Sequence, residues 1–296
     1  MNSEVIIRPW AKINLFLKIL GKRSDGYHEL FTFIHPLALF DEIKIKVKEG
    51  SDIKLSCKSE GLPADQDIPL SQDNLVAKVI ELFFKNIERK VSVEVDIIKR
   101  IPIGGGMGGG SSDAANTING LNKLFGNPLN KDIVQRISMS LGMDVASFLD
   151  PRPSLCKGRG EIIEKRFEPL SFWCVLINPG KVLSTKLVYN NFNLTLTEIK
   201  TADNISNLSN LAEGYTLDSL IDIGNDLEYT AIKLCPEIGQ CLNMLRNAGA
   251  IKSIVCGSGC TVCGFFKTKS AAEEVMGQIR KEIPQKWWIK VVSSLF

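Results

Sequence analysis

Pro102-Ile103-Gly104-Gly105-Gly106-Met107-Gly108-Gly109-Gly110-Ser111-Ser112-Asp113 decides how this chain is read, because six of the seven residues from 104 to 110 are glycine. A backbone this bare can close around a small anion and turn its N–H groups toward it. The flanks give the loop its context. Upstream, Val91, Val93, Val95 and Ile97 alternate with Ser92, Glu94 and Asp96, the pattern of a half-buried strand. Downstream, Ser111 to Phe125 runs without proline until Gly126-Asn127-Pro128 stops it, which predicts a helix. Strand, glycine loop and helix N-terminus together make a cradle that favours phosphate.

Two well-known phosphate loops fit less well. No lysine lies inside the run and no Gly-Lys-Ser/Thr follows it, so it is not a Walker A loop. Gly104-x-Gly106-x-x-Gly109 matches the dinucleotide fingerprint. That fingerprint also needs an acid roughly 20 positions on, at the end of a strand. Asp132 lies near that distance but opens a predicted helix. A flexible linker is the plain alternative, and linkers are rarely framed by a clean strand and helix.

The chain of 296 residues is long enough for one large or two modest domains, with 44% hydrophobic and 23% charged residues. A net charge of +3 gives no argument for nucleic acid or for an anionic membrane surface. Lys44, Lys46 and Lys48 alternate with Ile43, Ile45 and Val47, so they form the wet face of a strand. No apolar run reaches the roughly 20 residues that span a bilayer. Arg8, Lys12 and Lys18 interrupt any signal-peptide core, so the cytoplasm is the expected compartment. The eight cysteines then read as buried or free thiols. Cys256-x3-Cys260-x2-Cys263 has the spacing of an iron–sulfur ligand set, but Cys263 falls in the middle of a predicted strand.

Residues 5–20 alternate, with Val5, Ile7, Ala11, Ile13, Leu15, Leu17 and Ile19 on one parity. Arg8, Trp10, Lys12, Asn14 and Lys18 lie on the other, predicting one strand with a polar face. Residues 41–57 predict a hairpin turning at Glu49-Gly50-Ser51-Asp52. Asn74 caps a predicted helix with Leu75, Val79, Phe83 and Ile87 on one face, and Asn130 caps another ending near Gly142. A second unit is expected from about residue 160, after Lys157-Gly158-Arg159-Gly160. It holds a strand at 172–177, a polar loop at 201–210 and helices near 217–235 and 236–248. Strands over 253–266 around Gly257-Ser258-Gly259, a helix at 270–281 and a last strand at 288–292 follow. Strands and helices mix without strict alternation, which is an α+β fold.

Four further groups carry candidate chemistry. Lys12 and Asn14 share the polar parity of the first strand, either solvated or functional. Asp25-Gly26-Tyr27-His28-Glu29 is a turn whose rings either stack on a base or pack. Asp144, in Gly142-Met143-Asp144-Val145-Ala146, is a lone acid that suits a helix cap, a catalytic base or both. Gly257-Ser258-Gly259 is a tight turn open to a close ligand.

Together these motifs resemble the GHMP kinase superfamily. The chain is similar in particular to the branch that phosphorylates a cytidine diphosphate-linked methylerythritol. Ala11-Lys12-Ile13-Asn14-Leu15, Asp25-Gly26-Tyr27-His28, the 102–112 segment, Gly142-Met143-Asp144-Val145 and Gly257-Ser258-Gly259 occur in that family's order, over nearly the whole length. Ala146 and Cys260 depart from its pattern. The resemblance implies a two-domain α+β architecture, with an ATP-binding domain over 1–160 and a C-terminal substrate domain over 161–296. The last strand is free to pack back on the first domain.

It further implies that ATP phosphorylates the 2-hydroxyl of the methylerythritol moiety, a step toward isoprenoid precursors. Pro102, Ile103, Gly104, Gly105, Gly106, Met107, Gly108, Gly109, Gly110, Ser111 and Ser112 are then the ATP segment. Asp144 is the catalytic base and Lys12 its cationic partner. Asn14, Tyr27, His28, Thr185 and Tyr189 are substrate contacts, with Tyr189 a second stacking ring. Mg2+ is expected on the phosphates; its protein ligands are not legible, though Ser111 or Ser112 could contribute a hydroxyl. The partner is a small molecule, not nucleic acid or membrane. Oligomeric state is not legible.

Overall fold

The computed structural model describes residues 3–62, 74–193 and 215–296, and the polar loop expected at 201–210 lies outside them. The chain forms two compact units, each discontinuous in sequence: 1–12, 38–103 and 107–151 in one, 13–37, 104–106 and 152–296 in the other.

The first unit is built on a four-stranded sheet in the order β1 (Ser3–Ile7), β4 (Glu42–Lys48), β6 (Ser92–Lys99), β5 (Ile53–Ser59). One face of each central strand is apolar, with Ile43 opposite Ile97, Ile45 opposite Val95 and Val47 opposite Val93. Those side chains are buried with Val79, Ile80 and Phe83 of α1 (Leu75–Asn86) and Ala114, Ala115 and Ile118 of α2 (Gly109–Leu124). Asn74 caps α1, its side-chain oxygen accepting from the Val76 N–H at 2.9 Å. Asn130 caps α3 (Lys131–Leu141) in the same way through Ile133.

Three expectations change here. The hairpin over 41–57 does not form: the chain turns between β4 and β5, but β6 inserts between them, antiparallel to β4 and parallel to β5. The physical reason is side-chain demand. β6 buries Val93, Val95 and Ile97 and takes the centre. β5 exposes Lys54, Ser56 and Lys58 and suits an edge. The single strand over 5–20 is broken at Pro9, which has no N–H to give a ladder, into β1 and β2 (Trp10–Lys22). Its polar parity is not uniformly wet either: Arg8 is exposed, but Lys12 is 5% and Asn14 3% exposed.

The second unit holds two sheets. One runs β2, β3 (His28–Phe40), β7 (Ser154–Gly158), β8 (Ile162–Arg166). The other runs β10 (Ser253–Val255), β11 (Val262–Phe266), β9 (Trp173–Asn178), β12 (Trp288–Ser293), all antiparallel. Beyond β12, the Leu295 N–H donates to the Pro36 carbonyl at 3.0 Å. Its helices are α4 (Thr185–Asn191), α5 (Leu217–Ile221), α6 (Glu228–Leu234), α7 (Glu237–Asn247) and α8 (Lys269–Glu282). Val175, Ile177, Ile238, Leu242, Val262 and Val275 form the centre of its core.

The helix expected over 217–235 is two helices. Gly224 adopts a φ of +80°, and the break is used. Leu17 N–H donates to the Gly224 carbonyl at 3.0 Å, and Asp226 N–H to the Leu17 carbonyl at 2.9 Å. No helix among the described residues is long and apolar enough to cross a membrane.

Candidate active site

In the first unit the site grows from the end of the glycine loop. Gly108 sits in the left-handed region with φ 70°, and α2 begins at Gly109, two residues before the predicted Ser111. The Ser112 N–H already donates to the Gly108 carbonyl at 2.9 Å. The preceding N–H groups are those that a helix start leaves without intrahelical partners. No side chain caps this end and no acid lies in its first turn, so the positive dipole end stays uncompensated.

Gly108 is glycine for a second reason. A Cβ there would lie 2.5 Å from Cζ of Phe148 and 3.3 Å from Cγ of Lys12. Phe148 belongs to the 3-10 helix Val145–Leu149, whose N-cap position is Asp144. Three parts therefore converge on one missing side chain: the loop, the stem of Lys12, and the helix that Asp144 opens. Lys12 is further fixed by its main-chain N–H, which donates to the Met107 carbonyl at 3.1 Å.

Asp144 takes the cap position without using its carboxylate as a cap. Only its main-chain carbonyl is engaged, by the Ser147 hydroxyl at 2.7 Å and the Ser147 N–H at 3.2 Å. The two hydroxyls at the helix start differ. Ser112 is fully buried and its Oγ accepts from Asn116 at 3.3 Å, whereas Ser111 is half-buried.

Beneath the loop lies a charged group that the sequence did not single out. The Lys99 ammonium donates to Asp41 and, at 2.6 Å, to Asp113, and all three side chains are at most 7% exposed. Asp41 also accepts the N–H groups of Arg100 and Ile101, at 2.5 and 2.9 Å. Asp113 has one oxygen, Oδ1, buried without a hydrogen-bond partner. Burial pushes the Asp113 carboxyl up to about 7 against the pull of Lys99. Burial works against the Lys99 charge too, but the carboxylates of Asp113 and Asp41 outweigh it and its pKa is raised. The Lys99 Nζ lies 3.3 Å from where a Cβ on Gly109 would stand, directly behind the start of α2.

In the second unit the first half of the glycine loop rests on the corner between β10 and β11. Gly105 accepts the Thr261 N–H at 3.3 Å. At Gly106, φ +75°, a Cβ would stand 1.8 Å from the Cys256 carbonyl oxygen, so only glycine fits. The corner is held by Asn225, whose side-chain amide donates to the carbonyls of Val255 (2.9 Å) and Gly257 (2.7 Å). Ser258, at its tip, shares a 3.0 Å hydrogen bond with the Thr185 hydroxyl. Cys256, Cys260 and Cys263 are all fully buried, the last within β11.

The same unit gathers the aromatic candidates. Asp25 accepts the Tyr27 N–H at 3.1 Å, and the Arg23 N–H donates to the Tyr27 carbonyl at 2.8 Å, shaping a tight turn. Tyr27 is 51% exposed, large for a ring with no core role. The His28 ring lies 5.4 Å from Tyr189 and 5.8 Å from Phe192, the latter edge-on. Burial, and then the Lys22 charge, lower the His28 pKa, so the ring is neutral near pH 7. Asn14 donates to the Thr32 hydroxyl at 2.8 Å, and Thr32 donates onward to the Phe16 carbonyl at 2.6 Å.

Sequence reasoning thus missed Lys99, Asp41, Asp113, Asn225 and Phe192. Lys99 ends β6, Asp41 lies between β3 and β4, and Asp113 lies within α2, all places where charge is ordinary. The one available signal was Gly224-Asn225-Asp226, a helix-breaking run inside the expected helix. Among the described residues no three His, Cys, Asp or Glu side chains come together as a metal cage.

Comparison with known proteins bears on this arrangement. Residues 74–152 match the family model of the GHMP kinases N terminal domain, and residues 204–285 that of the GHMP kinases C terminal. A 4-diphosphocytidyl-2-C-methyl-D-erythritol kinase of Citrifermentans bemidjiense is 35% identical over 295 residues, covering 100% of both chains. A crystal structure of a 4-(cytidine 5'-diphospho)-2C-methyl-D-erythritol kinase superposes with a TM-score of 0.74 at 26% identity, covering 98% of this chain and 100% of that one. The homoserine kinase of Cytophaga hutchinsonii has a TM-score of 0.74 at 17% identity, over 99% of this chain and 94% of its own, and shares the fold.

Proposed function

Since the chain belongs to the 4-diphosphocytidyl-2-C-methyl-D-erythritol kinases, within the GHMP kinases, we propose that it transfers the terminal phosphoryl group of ATP to the 2-hydroxyl of 4-diphosphocytidyl-2-C-methyl-D-erythritol. The product is the 2-phosphate, a step of the non-mevalonate route to isoprenoid precursors. The observation that carries the reading is the convergence on Gly108, where the loop meets the stem of Lys12 and the helix opened by Asp144.

Phosphoryl transfer asks a protein for alignment and charge neutralisation rather than covalent help. The main-chain amides of the 102–112 segment, ending at the uncompensated start of α2, hold the polyphosphate. Asp144 accepts the proton of the attacking hydroxyl as the new O–P bond forms, and its carboxylate is not spent on a cap. Lys12 stabilises charge developing on the oxygen. Tyr27 and Tyr189 offer faces for cytosine, and neutral His28 can present a donor or an acceptor to its edge. Asn14 and Thr185 contact the remaining polar groups of the acceptor.

The donor set suits Mg2+ arriving on the nucleotide: Ser111, half-buried at the helix start, would offer it a hydroxyl. When bound, the ion neutralises phosphate charge.

The test is a coupled ADP-release assay with 4-diphosphocytidyl-2-C-methyl-D-erythritol, homoserine and mevalonate as acceptors, followed by NMR location of the new phosphate. Release that depends on the cytidine-linked acceptor, with phosphorus on its O2, supports the proposal. Preference for homoserine or mevalonate refutes it.

A further inference from the structure

We propose that Arg159 is the cationic subsite for the diphosphate of the cytidine-linked substrate, held ready beside the ring of Tyr27. The inference rests on the cytidine reading of Tyr27 and His28 and adds to it the partner of the substrate's own charge.

The substrate contacts proposed so far in this unit are uncharged. Asn14, Tyr27, Thr185 and Tyr189 carry no charge near pH 7, and burial keeps His28 neutral. A nucleoside diphosphate ester brings two ionised phosphates, which need a cation or a set of directed donors. Arg159 lies where one is missing. Its guanidinium carbon stands over the Tyr27 ring, 5.0 Å from the centroid. That contact occupies one face of a ring that is 51% exposed.

The arginine is also pre-oriented. It sits in the turn between β7 and β8, where Glu161 accepts both its main-chain N–H, at 2.5 Å, and its Nε, at 3.2 Å. Pairing through Nε fixes the plane of the guanidinium, whose Nη1–Nη2 edge carries the remaining N–H donors, with the Asp25 carboxylate also in its electrostatic reach. The turn is tied to the Tyr27 turn through Glu29, which accepts the Gly158 N–H at 3.1 Å and the Arg23 guanidinium at 2.6 Å. Both turns therefore hold one geometry. A planar donor fork already immobilised loses little freedom on binding phosphate. Lys22, whose charge acts on His28, is exposed at the end of β2.

Isothermal titration of the full chain with cytidine and with CDP tests this, using wild type, Arg159→Gln and Arg159→Lys. Wild type should bind CDP at least tenfold more tightly than cytidine. Arg159→Gln should lose most of that ratio while its cytidine affinity stays within about twofold. Arg159→Lys, which keeps charge but not the fork, should fall between and should serve if the glutamine variant does not fold. Equal weakening of CDP and cytidine would overturn the proposal, because Arg159 would then only support Tyr27. An unchanged CDP-to-cytidine ratio in both variants would overturn it as well. Failure of wild type to bind either ligand would refute the cytidine reading itself, and the proposal with it.

Discussion

The main-chain N–H of Lys12 donates to the carbonyl of Met107 over 3.1 Å, so the strand carrying the candidate cation is registered directly on the glycine loop. Two residues further along, β2 carries Asn14, buried and bonded to Thr32. The order lysine-x-asparagine thus places two functional candidates on one strand. Loss of the loop's geometry should disturb Lys12.

Substituting the loop glycines should separate required positions from tolerant ones. Gly106→Ala and Gly108→Ala place a Cβ 1.8 Å from a carbonyl oxygen and 2.5 Å from an aromatic carbon, both at positive φ. Each should lower stability by about 2 kcal/mol or more and weaken ATP binding at least tenfold. Gly110→Ala meets no atom within 4 Å and should leave the melting temperature unchanged or slightly raised. Calorimetric melting with nucleotide titration checks all three. Equal tolerance at 106 and 110 would contradict the packing described.

The buried Lys99 group should respond asymmetrically. Lys99→Met strands Asp41 and Asp113 without their cation, and should cost roughly 3–5 kcal/mol in urea unfolding. Asp113→Asn leaves the Lys99–Asp41 pair in place and removes an anion with one unpaired oxygen, so it should cost far less. Similar losses in the two variants would contradict this asymmetry and make Asp113 as necessary as Lys99.

Acid should weaken the second unit through His35. Its ring is fully buried, with Nδ1 bonded to the Pro36 carbonyl and Nε2 accepting the Leu170 N–H at 3.0 Å, an arrangement that needs the neutral form. Burial lowers its pKa to about 4, against only partial opposition from that carbonyl. Below pH 6.5 the unfolded chain takes a proton that the fold refuses. This contribution to stability is therefore present above pH 6.5 and lost as pH falls toward 4, on the order of 3 kcal/mol in all. Urea unfolding of wild type and His35→Gln at pH 7.5 and 4.5 measures it. The variant should show a shallower loss, and an equal loss in both would refute the assignment.

Much of this was legible in the sequence because local rules decided it. Asn74 and Asn130 cap the helices that their positions announced, and Val93, Val95 and Ile97 line the buried face that alternation gave them. What was not legible depends on partners far along the chain. Nothing local says that β6 will part β4 from β5, since pairing is chosen by how much apolar surface each strand can bury. Lys12 reads as a wet strand lysine until β2 is seen to be buried on both faces. Asn225 and Arg159 draw their meaning from Gly257 and Tyr27, and no spacing rule links such pairs. Glycine was the exception. Its bareness in the 104–110 run signalled close approach before the approaching atoms were known, and Cys256 and Phe148 prove to be those atoms.

The role of Asp144 is tested most directly by single-turnover phosphorylation of 4-diphosphocytidyl-2-C-methyl-D-erythritol by Asp144→Asn, beside ATP titration of the same variant. The amide keeps the shape and removes the proton acceptor, so the rate should fall by about 10²–10⁴ while ATP still binds. A rate near that of wild type would contradict it.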